Sequence, residues 1–192
     1  MSRLIALICA GAVLIGVALL SHMSALLFSA HMAQHLLLIA VAAPLLMLGG
    51  VHLRVPPVGG WVAFVCIFLF WHWPVAFRWA ALDPFRTLLE LASVLLAAVA
   101  FWSAVLGGNR LSDGARALMV MSAAVVTDLP GVIMLFAPRV ICAMPDEDPA
   151  RFGLTPLADQ QLAGLMMWVP ANLVFFAIAT WLLARWIGLR ET

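Results

Sequence analysis

The stretch Ala25–Leu48 reads ALLFSAHMAQHLLLIAVAAPLLML, without one Asp, Glu, Lys or Arg. A helix rising 1.5 Å per residue needs about 20 mostly apolar residues to cross the hydrocarbon of a bilayer. Ala25–Leu48 is long enough, and its polar residues His31, Gln34 and His35 crowd toward its start. It therefore reads as a membrane span with something polar held just inside one end.

Five more apolar stretches have comparable length: Leu4–Leu20, Trp61–Phe77, Phe85–Leu106, Ala115–Ala137 and Leu162–Ile187. The segments between them are Ser21–Ser24, Gly49–Gly60 with Pro56 and Pro57, Arg78–Pro84, Gly107–Gly114 and Pro138–Gln161. These punctuating segments carry most of the charge, 11 of the 19 Asp, Glu and Arg residues, as connections that reach water should. The expectation is an all-α polytopic membrane protein, a bundle of about six transmembrane helices forming one domain over residues 1–192. The first stretch, opened by Arg3, is expected as a retained helix: its core is long for a signal peptide and no small-x-small cleavage site follows.

Composition excludes other classes. Of 192 residues 66% are apolar and 10% charged, against about 45–50% and about 25% in soluble domains. The formal net charge is +1 and every basic residue is arginine, so no basic run exists to bind nucleic acid. Cys9, Cys66 and Cys142 form neither a CxxC pair nor an even disulfide framework. HExxH, GxSxG and Walker motifs are absent, and the histidines are too few for a di-iron histidine box, so the expectation is a non-enzyme. With a cytoplasmic N-terminus, Arg3, Arg54, Arg110, Arg116, Arg185 and Arg190 would lie inside and Arg78, Arg86, Arg139 and Arg151 outside, which agrees in direction with the positive-inside rule.

Ionisable groups at membrane depth are costly, so each is a functional candidate. His31 and His35 stand at i,i+4, on one helical face, with Gln34 beside them. His72 lies in Trp71-His72-Trp73-Pro74 near the end of the third stretch. Glu90 lies about a turn into the fourth, and Asp159-Gln160-Gln161 opens the sixth, with Met166 and Met167 deeper. Alternation of direction places all of these at one membrane face, whichever way the N-terminus points. Asp128 sits nearer mid-depth, beside Pro130 and Gly131, which should loosen that helix.

Imidazole with thioether favours copper, above all Cu(I), over cations that prefer oxygen. The candidate ligands are His31, His35 and His72, with Met166 or Met167 as soft auxiliaries. Gln34, Glu90, Asp128, Asp159 and Gln160 form the surrounding polar network. Three alternatives stay open: haem held non-covalently by His35 and His72, histidines that only join helices, and a transporter working through Asp128. Glu90 and Asp128 are also explained as hydrogen bonds between helices, His22 and His52 as interfacial residues, and single methionines, Met32 and Met134 included, as packing.

Three blocks carry a resemblance. Ala18–Ser21 with Leu27–Leu38 and Ala43–Gly49, then Trp71-His72-Trp73-Pro74, then Pro156–Pro170 with Asp159-Gln160 and Trp168 together resemble the CtaG-type cytochrome c oxidase assembly proteins. The resemblance implies a bacterial inner-membrane protein of the respiratory chain that helps mature haem-copper oxidases, whose subunits would be its partners, by helping copper reach the catalytic subunit. It points to His31, His35, His72, Asp159 and Gln160 as the matching positions. Where family members often carry histidines, around the fourth span, this chain has Thr87, Glu90 and Leu91, and it has no tyrosine.

Overall fold

A computed structural model describes residues 2–107 and 111–188; Arg110 and Arg190, used above for orientation, lie outside the described residues. The described chain is all helix apart from its connections and contains no strand. Helix α1 (Arg3–Leu19) runs almost directly into α2 (Ser21–Leu26), so Ser21–Ser24, expected as a connection, is helical and extends the first span. The second span is α3 (Phe28–Leu37), a π-helical turn (Leu38–Ala42) and α4 (Ala43–Leu48). The third is α5 (Pro57–Trp71) and α6 (Pro74–Ala81). Helices α7 (Pro84–Leu106), α8 (Asp113–Phe136) and α9 (Pro156–Trp186) complete the bundle. Among the described residues five helical stretches are long and apolar enough to cross a membrane, and six if α5 and α6 are counted as one broken span.

Local chemistry sets the boundaries. Asp83 precedes Pro84 and accepts from the amides of Phe85 and Arg86 at 2.9 and 3.1 Å; Thr155 precedes Pro156 and accepts from Ala158 at 3.1 Å. A short oxygen side chain followed by proline satisfies the orphan amides of a first turn and presets its φ. Ser112 caps α8 by accepting from the Ala115 amide at 3.2 Å, with Asp113 and no proline after it.

Two spans depart from the expected continuous helix, and proline explains both. Pro44 lacks an N–H, and its ring would press on the carbonyl four residues back. The chain widens there into the π turn, in which the Ala43 amide reaches Leu38 O and the Trp102 indole donates to Ile39 O at 2.8 Å. In the third span, Pro74 drives Trp73 into extended backbone (φ −74°, ψ 127°), because a residue before proline is disfavoured as helix. The helices on either side meet at a bend of 73°. Trp61–Phe77 is thus not one straight helix. Pro130 and Pro170, by contrast, lie inside helices that continue through them.

Glycines set the closest approaches. A Cβ on Gly164 would lie 2.5 Å from Gly131 O, so α8 and α9 meet backbone to backbone. Gly60 lets α5 approach α7 at Ala100 O in the same manner. The core between these helices is aromatic: Phe64, Phe101, Trp102 and Phe175 pack with ring centroids 4.8 to 6.4 Å apart. Helix α1 stays at the periphery, burying Val17 against Leu38 and Ala42 of the second span. At one end of the bundle Arg185 of α9 pairs with Asp113 of α8 at 3.0 Å. At the other end gather the start of α3, the end of α5, the starts of α7 and α9 and the end of α8, the convergence that alternating direction predicts.

Candidate metal site

The site is built on α3. Its first turn has no capping side chain of its own, since Leu27 precedes it. Asp159 of α9 supplies the missing acceptor: its carboxylate takes the Phe28 amide at 2.6 Å, the Ser29 amide at 3.1 Å and the Ser29 hydroxyl. A carboxylate at a helix N-terminus satisfies orphan amides and complements the positive end of the dipole. Asp159 therefore anchors the helix that carries His31 and His35.

One turn further in, both histidines face α7. Their ring centroids lie 4.8 Å apart, and each ring is only 2% exposed. His31 Nε2 is hydrogen-bonded to Glu90 Oε1 at 3.1 Å; His35 Nε2 lies 3.2 Å from the same oxygen, off the line of a hydrogen bond. Glu90 is fully buried. Its turn is tied to the end of α5, because Trp71 donates to Ser93 Oγ at 2.8 Å and Ser93 in turn donates to Glu90 O at 2.8 Å. One ligand atom from each of His31, His35 and Glu90 falls within 4.8 Å of the other two. Donors of a tetrahedral ion bound at about 2.0 to 2.1 Å stand about 3.3 Å apart.

His72 ends α5 at the break. Its ring stacks on Phe68 with centroids 4.0 Å apart and meets His35 edge-on at 5.2 Å. His72 Nδ1 lies 2.7 Å from Phe68 O. A carbonyl only accepts, so Nδ1 carries a proton, and in the neutral form of the ring the lone pair is on Nε2. Among the described residues, His35 Nδ1, His72 Nε2 and Glu90 Oε2 are buried without a hydrogen-bond partner.

The remaining expected residues separate by role. Met167 lines a small cavity with His35, Thr127 and Phe175, whereas half-buried Met166 does not line it. Gln34 turns away and donates to Val17 O at 2.7 Å, tying α3 to α1. Gln160, fully buried, accepts from the amides of Ile141 and Cys142 at 2.6 and 3.1 Å and donates to Met134 O and Arg139 O at 3.2 and 3.3 Å. Asp128 accepts from Asn172 at 2.9 Å, a link between α8 and α9. Asp159, Gln160, Gln34 and Asp128 are thus partnered outside the imidazole cluster. Glu90, expected only in the network around the ligands, stands in direct contact with both histidines. The sequence signal was there, a single carboxylate a turn inside an apolar span, but not its aim. A cavity of about 350 Å³ is lined by His31 and Gln34 together with Asp83, Met144 and Asp146. Cys142, buried in the loop after α8, has its thiol pushed up to about 11 by burial and so stays protonated near neutrality.

The model of the cytochrome c oxidase caa3 assembly factor family (Caa3_CtaG) matches residues 51–188, most of the chain. The chain belongs to that family. No curated protein matches, and no solved structure does either. The matched segment holds His72, Glu90, Asp128, Asp159 and Gln160, while His31 and His35 precede it. The family is one of cytochrome c oxidase assembly factors, and the apolar helices described above make this a multi-pass membrane protein.

Proposed function

We propose that this assembly factor binds copper as cargo at His31, His35 and Glu90, with His72 and Met167 beside them, and helps pass it to a subunit of a haem-copper oxidase. One observation carries the reading: two imidazole nitrogens from one helix converge on one carboxylate oxygen from another, beside further buried polar atoms that have no hydrogen-bond partner among the described residues. A buried polar atom left without a partner costs about 1–3 kcal/mol. An ion among these groups would offset that cost. In its absence a proton on His31 serves the same oxygen, so the ion and the proton compete for one position.

The chemistry of the donors favours copper over magnesium or calcium, which take oxygen ligands. Delivered as Cu(I), it would be served best by the imidazoles and the Met167 thioether. Haem between His35 and His72 is less favoured, because those rings already touch edge to face and leave no slot for a planar macrocycle. The site belongs, on this reading, to the outer half of a bacterial inner-membrane protein with a cytoplasmic N-terminus, reached through the cavity that Asp83 and Asp146 border. The protein needs no catalytic residue for this role.

Copper content of detergent-purified protein, expressed with copper and assayed beside His31→Ala/His35→Ala, tests the proposal. The expected result is copper bound by the parent protein and lost from the double variant, together with loss of oxidase maturation. Equal copper in both overturns the assignment. Failure of maturation without any copper in the parent protein would make the factor a metal-free clamp on the assembling subunits. A Soret band would return haem to the lead.

A further inference from the structure

A groove of about 510 Å³ lies between the end of α5, the start of α6, the end of α8 and the loop after it. It is lined by His72, Met134 and Cys142, beside Trp73, Pro74 and Pro130. We propose that this groove is a second, softer copper station, with His72 Nε2, Met134 Sδ and Cys142 Sγ as its donors, and that it receives the ion from the His31/His35/Glu90 site through His72. The inference rests on the copper reading above.

Three observations support it. First, the hydrogen bond from Nδ1 to Phe68 O leaves Nε2 of His72 as a lone pair, buried and unpartnered among the described residues; a backbone carbonyl holding the other ring nitrogen is how ligating histidines are commonly oriented. Secondly, the two sulfur-bearing residues are held in register by one side chain. Gln160 donates to the carbonyl of Met134 and accepts from the amide of Cys142, so the end of α8 and the loop that follows it cannot drift apart. Thirdly, Cys142 is only 4% exposed, lines the groove and forms no disulfide, so its thiol has no covalent partner.

The donor sets differ in kind. The first site has two imidazoles and a carboxylate with the Met167 thioether beside them and no thiol; the groove has a thioether, a thiol and one imidazole. Soft donors of this second sort select Cu(I) strongly. The rings of His35 and His72 are 5.2 Å apart at their centroids, so a short displacement separates the two stations. On binding, Cu(I) replaces the proton of the Cys142 thiol, the proton leaves to water, and no change of oxidation state is required.

The test uses full-length protein with Cys9→Ser and Cys66→Ser, leaving Cys142 as the sole thiol, titrated anaerobically with Cu(I) against a competing chelator. Two Cu(I) equivalents and a thiolate-to-copper charge-transfer band are expected. Cys142→Ser should abolish the band and leave one equivalent. His72→Gln should do the same, and Met134→Leu, nearly matched in volume, should weaken the second equivalent about tenfold. His31→Ala/His35→Ala should remove the other equivalent and keep the band. Thermal unfolding of each variant confirms that it is folded. No band while one equivalent still binds through His31 and His35 overturns the groove and leaves the functional proposal standing. A band that survives in His72→Gln also overturns it. Absence of any bound copper in the parent protein overturns both.

Discussion

At the scale of the residue, a few buried polar side chains divide into those that face one another and those that hold the frame. Glu90 belongs to the first kind. Exchange for glutamine keeps its shape and removes its charge, so Glu90→Gln should weaken copper binding by more than about tenfold while leaving the helical far-UV circular dichroism unchanged. Asp159 belongs to the second. Its carboxylate takes three donors from the first turn of α3, and hydrogen bonds to a charged group contribute about 1.5–3 kcal/mol each at most. Asp159→Ala should lower the unfolding midpoint in detergent and weaken copper indirectly. Raising protein stability by a second-site substitution should restore the midpoint and part of the copper in that variant, but should restore no copper to Glu90→Gln. Gln160, its neighbour, stitches the loop after α8 to the end of that helix.

At the scale of the element, what matters is where helices are interrupted and where they touch. The pair α8 and α9 is close because neither Gly131 nor Gly164 has a side chain at the crossing. Gly164→Ala places a Cβ against backbone atoms that have nowhere to go, and should destabilise by about 1–3 kcal/mol, as overpacking does. Gly16→Ala in α1 meets nothing within 4 Å and should be neutral or stabilising by up to about 1 kcal/mol through helix propensity. Reversible unfolding in mixed micelles compares the two. The π turn before Pro44 is equally specific: Trp102→Phe removes the donor to Ile39 O and should cost about 1–3 kcal/mol, the price of a carbonyl left buried in a lipid-facing protein.

At the scale of the whole molecule, the bundle brings one polar pocket to one end and leaves the rest to lipid. If copper is bound there, it should raise the unfolding midpoint of the parent protein, since a ligand held by the folded state alone stabilises it by mass action. It should raise that of His31→Ala/His35→Ala less. Acid should release the metal, because protonated imidazole cannot ligate and each lost ligand returns a proton-binding site. The expected signature is copper retained on dialysis near neutrality and lost at pH 5, with the helical signal unchanged across that range.

An all-helical bundle of five or six spans was legible in the chain from apolar length alone, because the bilayer asks the same thing of every crossing segment: about 20 apolar residues and internally satisfied amides. The gathering of His31, His35, His72, Glu90 and Asp159 at one end was legible as well, since alternation of direction fixes which span ends are neighbours. Registry within that end was not. Helical spacing says that His31 and His35 share a face; it does not say which way the face turns, nor that the carboxylate opposite it would be Glu90 and not Asp159 or Asp128. Nor does apolar length reveal that Pro44 is absorbed by a π turn, Pro74 by a 73° break and Pro130 by neither, because the outcome depends on which neighbouring side chains, here Trp102 among them, take up the freed backbone groups. Composition and period decide what a segment is, being properties of the segment and its solvent. Packing between segments decides what its side chains meet, since helix rotation and approach are set by partners distant in sequence, such as the glycine crossing of α8 and α9 and the grip of Asp159 on the start of α3.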